Sequence, residues 1–115
     1  MQPYVENQAG KRPPPRSVRR AVRELGTHVV TWRKLRGLTQ AQLAERANVA
    51  RGTLVRLERG NGQVSAENLL RVLSALGVID NAMRAIDPYE SDLGRLRSDE
   101  QLPRRVRTKA LVSDD

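Results

Sequence analysis

Val18, Val22, Leu25, Val29 and Trp32 recur in steps of four, three, four and three residues. Only an α-helix turns that spacing into one continuous apolar stripe. Ser17 is expected to cap this helix at its N-terminus. Gly26 costs it about 1 kcal/mol of propensity relative to alanine, so the helix could instead begin near Gly26. Gly37 closes it, preceded by Arg33, Lys34 and Arg36, cations that suit a helix C-terminus.

The helical pattern continues. Thr39 with Gln42 three residues later has the form of a capping box, and Leu43, Ala44 and Ala47 make a short apolar face behind it. Asn48 follows at the turn, a residue that tolerates the left-handed conformation. A third helix is expected from about Ala50 to Arg59, with Leu54 and Leu57 inward and Gly60-Asn61-Gly62 as its stop. Ser65 caps a fourth, whose Leu69, Leu70, Val72, Leu73 and Leu76 form a wide face expected to be deeply buried; Gly77 ends it. A fifth, short helix begins at Asp80 or Asn81 and runs through Ile86, and Pro88 stops it. No strand pattern and no internal repeat is present. With Trp32, Tyr4 and Tyr89 as the only aromatic residues, the core must be built from Leu, Val, Ile and Ala, which suits packed helices. The expected fold is all-α, five helices over residues 17–87, flanked by a disordered basic arm over 1–16 and a loosely ordered or partner-binding tail over 88–115. The arm holds Pro13-Pro14-Pro15, which favour an extended polyproline conformation, flanked by Lys11, Arg12 and Arg16.

The chain carries a formal charge of +8. Residues 1–24 hold 6 basic and 2 acidic side chains, residues 25–87 hold 9 and 5, and residues 88–115 hold 6 of each. A basic arm and a basic domain will attract polyanions. There is no cysteine and a single histidine, His28. Disulfides and thiol chemistry are thereby excluded, and no metal site or cofactor is expected. Neither a nucleophile–base pair nor a Gly-rich phosphate loop is present, so an enzyme is not expected. No signal-peptide pattern and no membrane-length apolar run is seen, and the expected location is the cytoplasm, with the nucleoid.

The most specific stretch runs Leu38-Thr39-Gln40-Ala41-Gln42-Leu43-Ala44, then Asn48-Val49, then Thr53-Leu54-Val55-Arg56-Leu57-Glu58-Arg59-Gly60. From about Leu25 to Ile86 the chain resembles the Cro/XRE family of helix-turn-helix regulators. The resemblance implies a five-helix, lambda-repressor-like domain that binds double-stranded DNA and lays its third helix in the major groove, where base edges carry a unique hydrogen-bonding code. On it, Arg51, Gly52, Thr53, Val55 and Arg56 would meet the bases. Arg51 and Arg56 can each span the O6 and N7 acceptors of a guanine. Gln40 corresponds to the family's phosphate-clamping glutamine, and Asn61, Arg36 and Arg59 are further phosphate candidates. Arg33 and Glu58 are expected to form a structural ion pair. Ala44 must be small where two helices cross.

This chain departs from the family in having Ala50 where a Ser or Thr usually caps the third helix, a loss of about 1 kcal/mol and of one phosphate contact. Lys11, Arg12 and Arg16 are either a solubilising arm or a DNA arm. Arg46, Arg71 and Arg84 are read as a solvated face, His28 as an exposed helix residue and Trp32 as core. A homodimer is expected, with the fifth helix and the tail as its surface. Residues 87–107 are similar to the tails of antitoxins encoded beside HipA-type toxin kinases, which would add a toxin protein as partner. A coactivator or RNA-associated interaction module is a further alternative.

Overall fold

A computed structural model describes residues 12–101. Those residues form six α-helices and no strand. They are α1 (Arg16–Leu35), α2 (Gln40–Ala47), α3 (Arg51–Glu58), α4 (Ala66–Leu76), α5 (Ile79–Ile86) and α6 (Asp92–Gln101), with a single 3-10 turn at Pro88–Glu90 before α6. The chain divides into two compact units, Met1–Gly77 and Val78–Asp115.

In the first unit α1 starts at Arg16, one residue before the expected cap. Pro15 takes the N-cap position at φ −57°, ψ 156° with no side-chain cap bond, so Ser17 lies inside the first turn. Extended Pro15 delivers the chain into the helix in the conformation the proline run favours. The helix passes through Gly26 without a break. Its stripe is buried at Val29, half-covered at Val22 and Leu25, and open at Val18.

Three helices of this unit end in the same way. Gly37 (φ 70°), Asn48 (φ 57°) and Gly60 (φ 83°) each turn left-handed after α1, α2 and α3. At each turn two backbone N–H groups fold back. Gly37 and Leu38 donate to Lys34 and Arg33, Asn48 and Val49 to Glu45 and Ala44, and Gly60 and Asn61 to Leu57 and Arg56, all at 2.9–3.1 Å. These double bonds satisfy carbonyls that a helix end otherwise orphans. The capping box at the start of α2 is complete: Gln42 N–H donates to Thr39 Oγ1 at 3.1 Å and Thr39 N–H to Gln42 Oε1 at 2.9 Å. Ser65 caps α4 by accepting from Asn68 N–H at 3.1 Å.

The core consists of Val29, Leu38, Leu43, Ala44, Ala47, Leu54, Leu57, Val72 and Leu76. Leu43 and Leu54 are 0% exposed, so α2 and α3 are pinned from the inside. Of the broad α4 face only Val72 and Leu76 are buried; Leu69, Leu70 and Leu73 are half-covered. A unit this small encloses only the innermost turn of such a face.

The second unit begins at Val78, so α5 groups with the C-terminal segment. Residues 88–101, expected as part of a loosely ordered or partner-binding tail, hold the 3-10 turn and α6. Local capping accounts for this order. Asp87 Oδ1 accepts from Tyr89 N–H at 2.9 Å and Ser91 Oγ from Gly94 N–H at 2.9 Å. Arg95 Nη1 donates to the Tyr89 carbonyl at 2.6 Å, and Arg95 Nη2 pairs with Asp92 at 2.6 Å. Gly94 lets α6 close on the 3-10 turn, because a Cβ there would sit on the Pro88 carbonyl. Polar capping left no apolar period for sequence reading to find. Met83, Ile86, Leu93 and Leu96 remain exposed.

Candidate nucleic-acid interface

Short α3 is set by its neighbours. Leu54 and Leu57 face the core, so Arg51, Gly52 and Arg56 are exposed and Thr53 and Val55 are half-covered on the other side. The Arg51 and Arg56 guanidiniums make no ion pair or hydrogen bond to the described residues. Ala50 supplies no side-chain cap, and the first backbone bond of α3 runs from Leu54 N–H to Ala50 O at 3.2 Å. The N–H groups of Arg51, Gly52 and Thr53 therefore point out of the helix end unmatched by the described residues. Such an end favours an anion. A Cβ at Gly52 would meet nothing within 4 Å, so this turn is open to close approach.

Glu58 closes the other end of α3. Its carboxylate accepts from Arg33 Nε at 2.6 Å, from Arg33 Nη2 at 3.2 Å and from Gln40 Nε2 at 2.8 Å. Arg33 Nη1 donates to the Leu38 carbonyl at 3.1 Å. The Glu58 side chain is 5% exposed and that of Arg33 13%. One buried carboxylate thus ties α3 to the last turn of α1 and the first turn of α2. Gln40, expected at a phosphate, has one amide hydrogen committed to Glu58 and a second still able to donate outward. The Glu58 bond orients the amide at the N-terminus of α2.

Arg36, expected among the phosphate contacts, is exposed at the end of α1 and also meets the end of α4. Its Nε donates to the Leu76 carbonyl at 3.0 Å, and its guanidinium lies over the Trp32 ring, 5.2 Å from the centroid. The carbonyl end of α4 attracts a cation, and Trp32 offers the face against which one packs. Arg36 is therefore a structural clamp, and Trp32 is half-covered beneath it. Arg36→Ala is expected to lower stability by about 1 kcal/mol and to leave affinity for DNA unchanged; a melt and a binding titration on one preparation read both.

Asn61 Oδ1 accepts from Gln63 N–H at 2.7 Å, shaping the loop after α3. Arg59, the C-cap of α3, is exposed in that loop. Arg12 is exposed just before the proline run and Arg16 at the first turn of α1. Lys11 and the basic cluster at 104–109 lie outside the described residues. Arg71, read as a solvated face, pairs with Glu67 at 2.9 Å on the exposed side of α4.

Gly26 is the position whose role sequence reading missed. A Cβ there would lie 2.6 Å from the Leu57 carbonyl oxygen and 2.7 Å from that of Glu58. α1 and α3 touch backbone to backbone at this point. The signal was the glycine itself, embedded in a strong helical stripe where propensity argues against it.

Among the described residues no helix is long and apolar enough to cross a membrane, and no group of His, Cys, Asp or Glu could hold a metal ion. Residues 29–78, somewhat less than half of the chain, match the protein-family model described as Helix-turn-helix. No curated protein and no solved structure matches the chain.

Proposed function

Because residues 29–78 are a helix-turn-helix domain of the Cro/C1, XRE type, a DNA-binding fold of transcription regulators, we propose that the protein is a sequence-specific repressor that reads the major groove with α3. The observation that carries this reading is the outer face of α3. Arg51 and Arg56 are exposed and form no ion pair with the described residues, Gly52 is open, and the helix is fixed from behind by Leu54, Leu57 and the buried Glu58 carboxylate. Base reading needs such a rigidly held helix with free forked donors. Arg51 and Arg56 take guanines, Thr53 a phosphate or a thymine methyl, and Val55 an apolar contact. Gln40, Arg59 and Asn61 lie toward the phosphates, with Arg12 and Arg16 in the arm.

Titration of the chain against its own upstream DNA and a scrambled duplex, across a salt series, tests this. Own DNA should win by about 10³ or more at physiological salt. Arg51→Ala and Arg56→Ala should each cost about 1–3 kcal/mol and relax preference at one base pair. Equal binding of both duplexes by the parent protein, vanishing in salt, would reduce the reading to bulk charge.

A second copy fits the exposed Met83, Ile86, Leu93 and Leu96 of the C-terminal unit. We expect a homodimer that spaces two α3 helices about 34 Å apart on a palindrome. Light scattering at micromolar concentration should return twice the chain mass; a monomer with and without DNA would count against it. The same apolar residues also suit a toxin protein of the HipA type, which would make the chain an antitoxin and autorepressor. Co-purification with the product of an adjacent kinase-like reading frame is the corresponding test.

A further inference from the structure

The N-terminal half of α1 precedes the matched segment, and it breaks local electrostatic rules. Arg16, Arg19, Arg20 and Arg23 stand at i, i+3, i+4 and i+7, so they form one stripe on the helix. Like charges at these spacings repel, and cations in a first helical turn oppose the macrodipole. No acidic residue sits in that turn to compensate. All four arginines are exposed, and none forms an ion pair with the described residues. A stripe that costs helix stability and is answered by no described residue points to a partner outside them.

The stripe is joined to the reader helix. Gly60, directly after the α3 cap, packs on α1 so closely that a Cβ would lie 3.1 Å from Arg23 Cα. A groove of about 460 Å³ opens beside this contact, with Arg12, Arg19, Arg23 and Arg59 on its walls and Val18 and Val22 in its lining. A second concavity, of about 540 Å³, is lined, among the described residues, by the four stripe arginines. Among the described residues, Glu58 is committed to Arg33 and Gln40, and Glu24, the next acidic residue on α1, forms no ion pair with the stripe.

We propose that Arg16, Arg19, Arg20 and Arg23 are a phosphate track that grips the duplex backbone flanking the segment under α3. This rests on the DNA-reading function of α3. The stripe rises about 10 Å along α1 at 1.5 Å per residue. One strand presents a phosphate about every 3.4 Å of axis, so the track matches about three. A linear row of one sign, continuous with the loop that ends the reader helix, fits a backbone better than an acidic protein patch, where apolar contacts would alternate with the charges. Affinity would then grow with the length of DNA beyond the bases read, with no change in sequence preference.

The test uses the full chain, R16Q/R19Q/R20Q, and R16K/R19K/R20K as the charge-preserving control; Arg23 is kept because its stem packs on Gly60. Circular dichroism confirms the helix in each, since Gln and Lys are helix formers comparable to Arg. Anisotropy across a salt series is followed on the footprinted core duplex, on the same core with ten flanking base pairs on each side, on a scrambled duplex and on an RNA hairpin. The parent should show a salt slope steeper by about 2–3 on the long duplex than on the core. The Gln variant should lose that increment and bind the long duplex roughly tenfold more weakly at physiological salt, the Lys variant should keep it, and own-over-scrambled preference should be the same in all three. An unchanged slope in the Gln variant, while the parent still prefers its own duplex, overturns the track and leaves the α3 reading standing. So does a Gln variant that loses the RNA hairpin and keeps the duplex. A parent without preference for its own duplex overturns both.

Discussion

Replacing Glu58 with alanine is expected to cost about 3–5 kcal/mol, the penalty for leaving one partner of a buried ion pair alone. The loss has three parts. Arg33 keeps a side chain that is 13% exposed, now without its carboxylate. Gln40 loses the acceptor of its amide. And α3 loses the tether to α1 and α2 on the side opposite its outer face. A domain of this size has about 5–15 kcal/mol to spend on all its defects, so much of the protein should unfold below ordinary growth temperature. Urea titration followed by Trp32 fluorescence and circular dichroism measures it. The double variant Arg33→Met/Glu58→Leu should recover most of the stability, because apolar groups of similar volume replace a buried pair at little cost. A single-variant loss under about 1 kcal/mol would mean that the pair behaves as an exposed one.

Gly26→Ala should act in the opposite sense to helix propensity. In isolation the change favours α1 by about 1 kcal/mol. In the folded unit the added Cβ would lie 2.6 and 2.7 Å from two carbonyl oxygens at the end of α3. These are backbone atoms in a closed left-handed turn whose carboxylate neighbour is held by Arg33, so the helices must move apart. Overpacking of this kind costs about 1–3 kcal/mol and at times more, and we expect a net loss of about 2 kcal/mol. At about 4–8 °C per kcal/mol for so small a domain, the melting temperature should fall by about 8–16 °C. Gly52→Ala is the internal comparison. A Cβ there meets nothing within 4 Å, so stability should rise by up to about 1 kcal/mol. A Gly26→Ala protein that melts at or above the parent would show that α1 and α3 can separate freely.

Most of the first unit was legible because its punctuation is local. Thr39 with Gln42, Ser65 with Asn68, and the residues Gly37, Asn48, Gly60 and Gly77 act on backbone groups within four residues, and periodicity alone places Val29, Leu43, Leu54, Leu57, Val72 and Leu76 inside. The second unit was less legible for an equally physical reason. α6 has no apolar seam and is held by Ser91, Asp92 and Arg95, side chains that read as loop until their partners are known.

What the amino-acid order determined by itself is the first five helices, most of their ends and the arginines at 51 and 56 that an outward α3 face exposes. Hydrogen bonds within a turn and the 3.6-residue period depend on neighbours in sequence, so they can be read from it. What only the tertiary structure decided is which polar groups meet across helices. Arg36 donates to the Leu76 carbonyl 40 residues away. Gly26 looked like a weakness in α1 and is the contact that lets α3 approach. Gly60 packs on α1 at Arg23, which brings one end of the arginine row to the end of α3. Such pairings depend on how closely two backbones pack, a property of the assembled helices and not of any one segment.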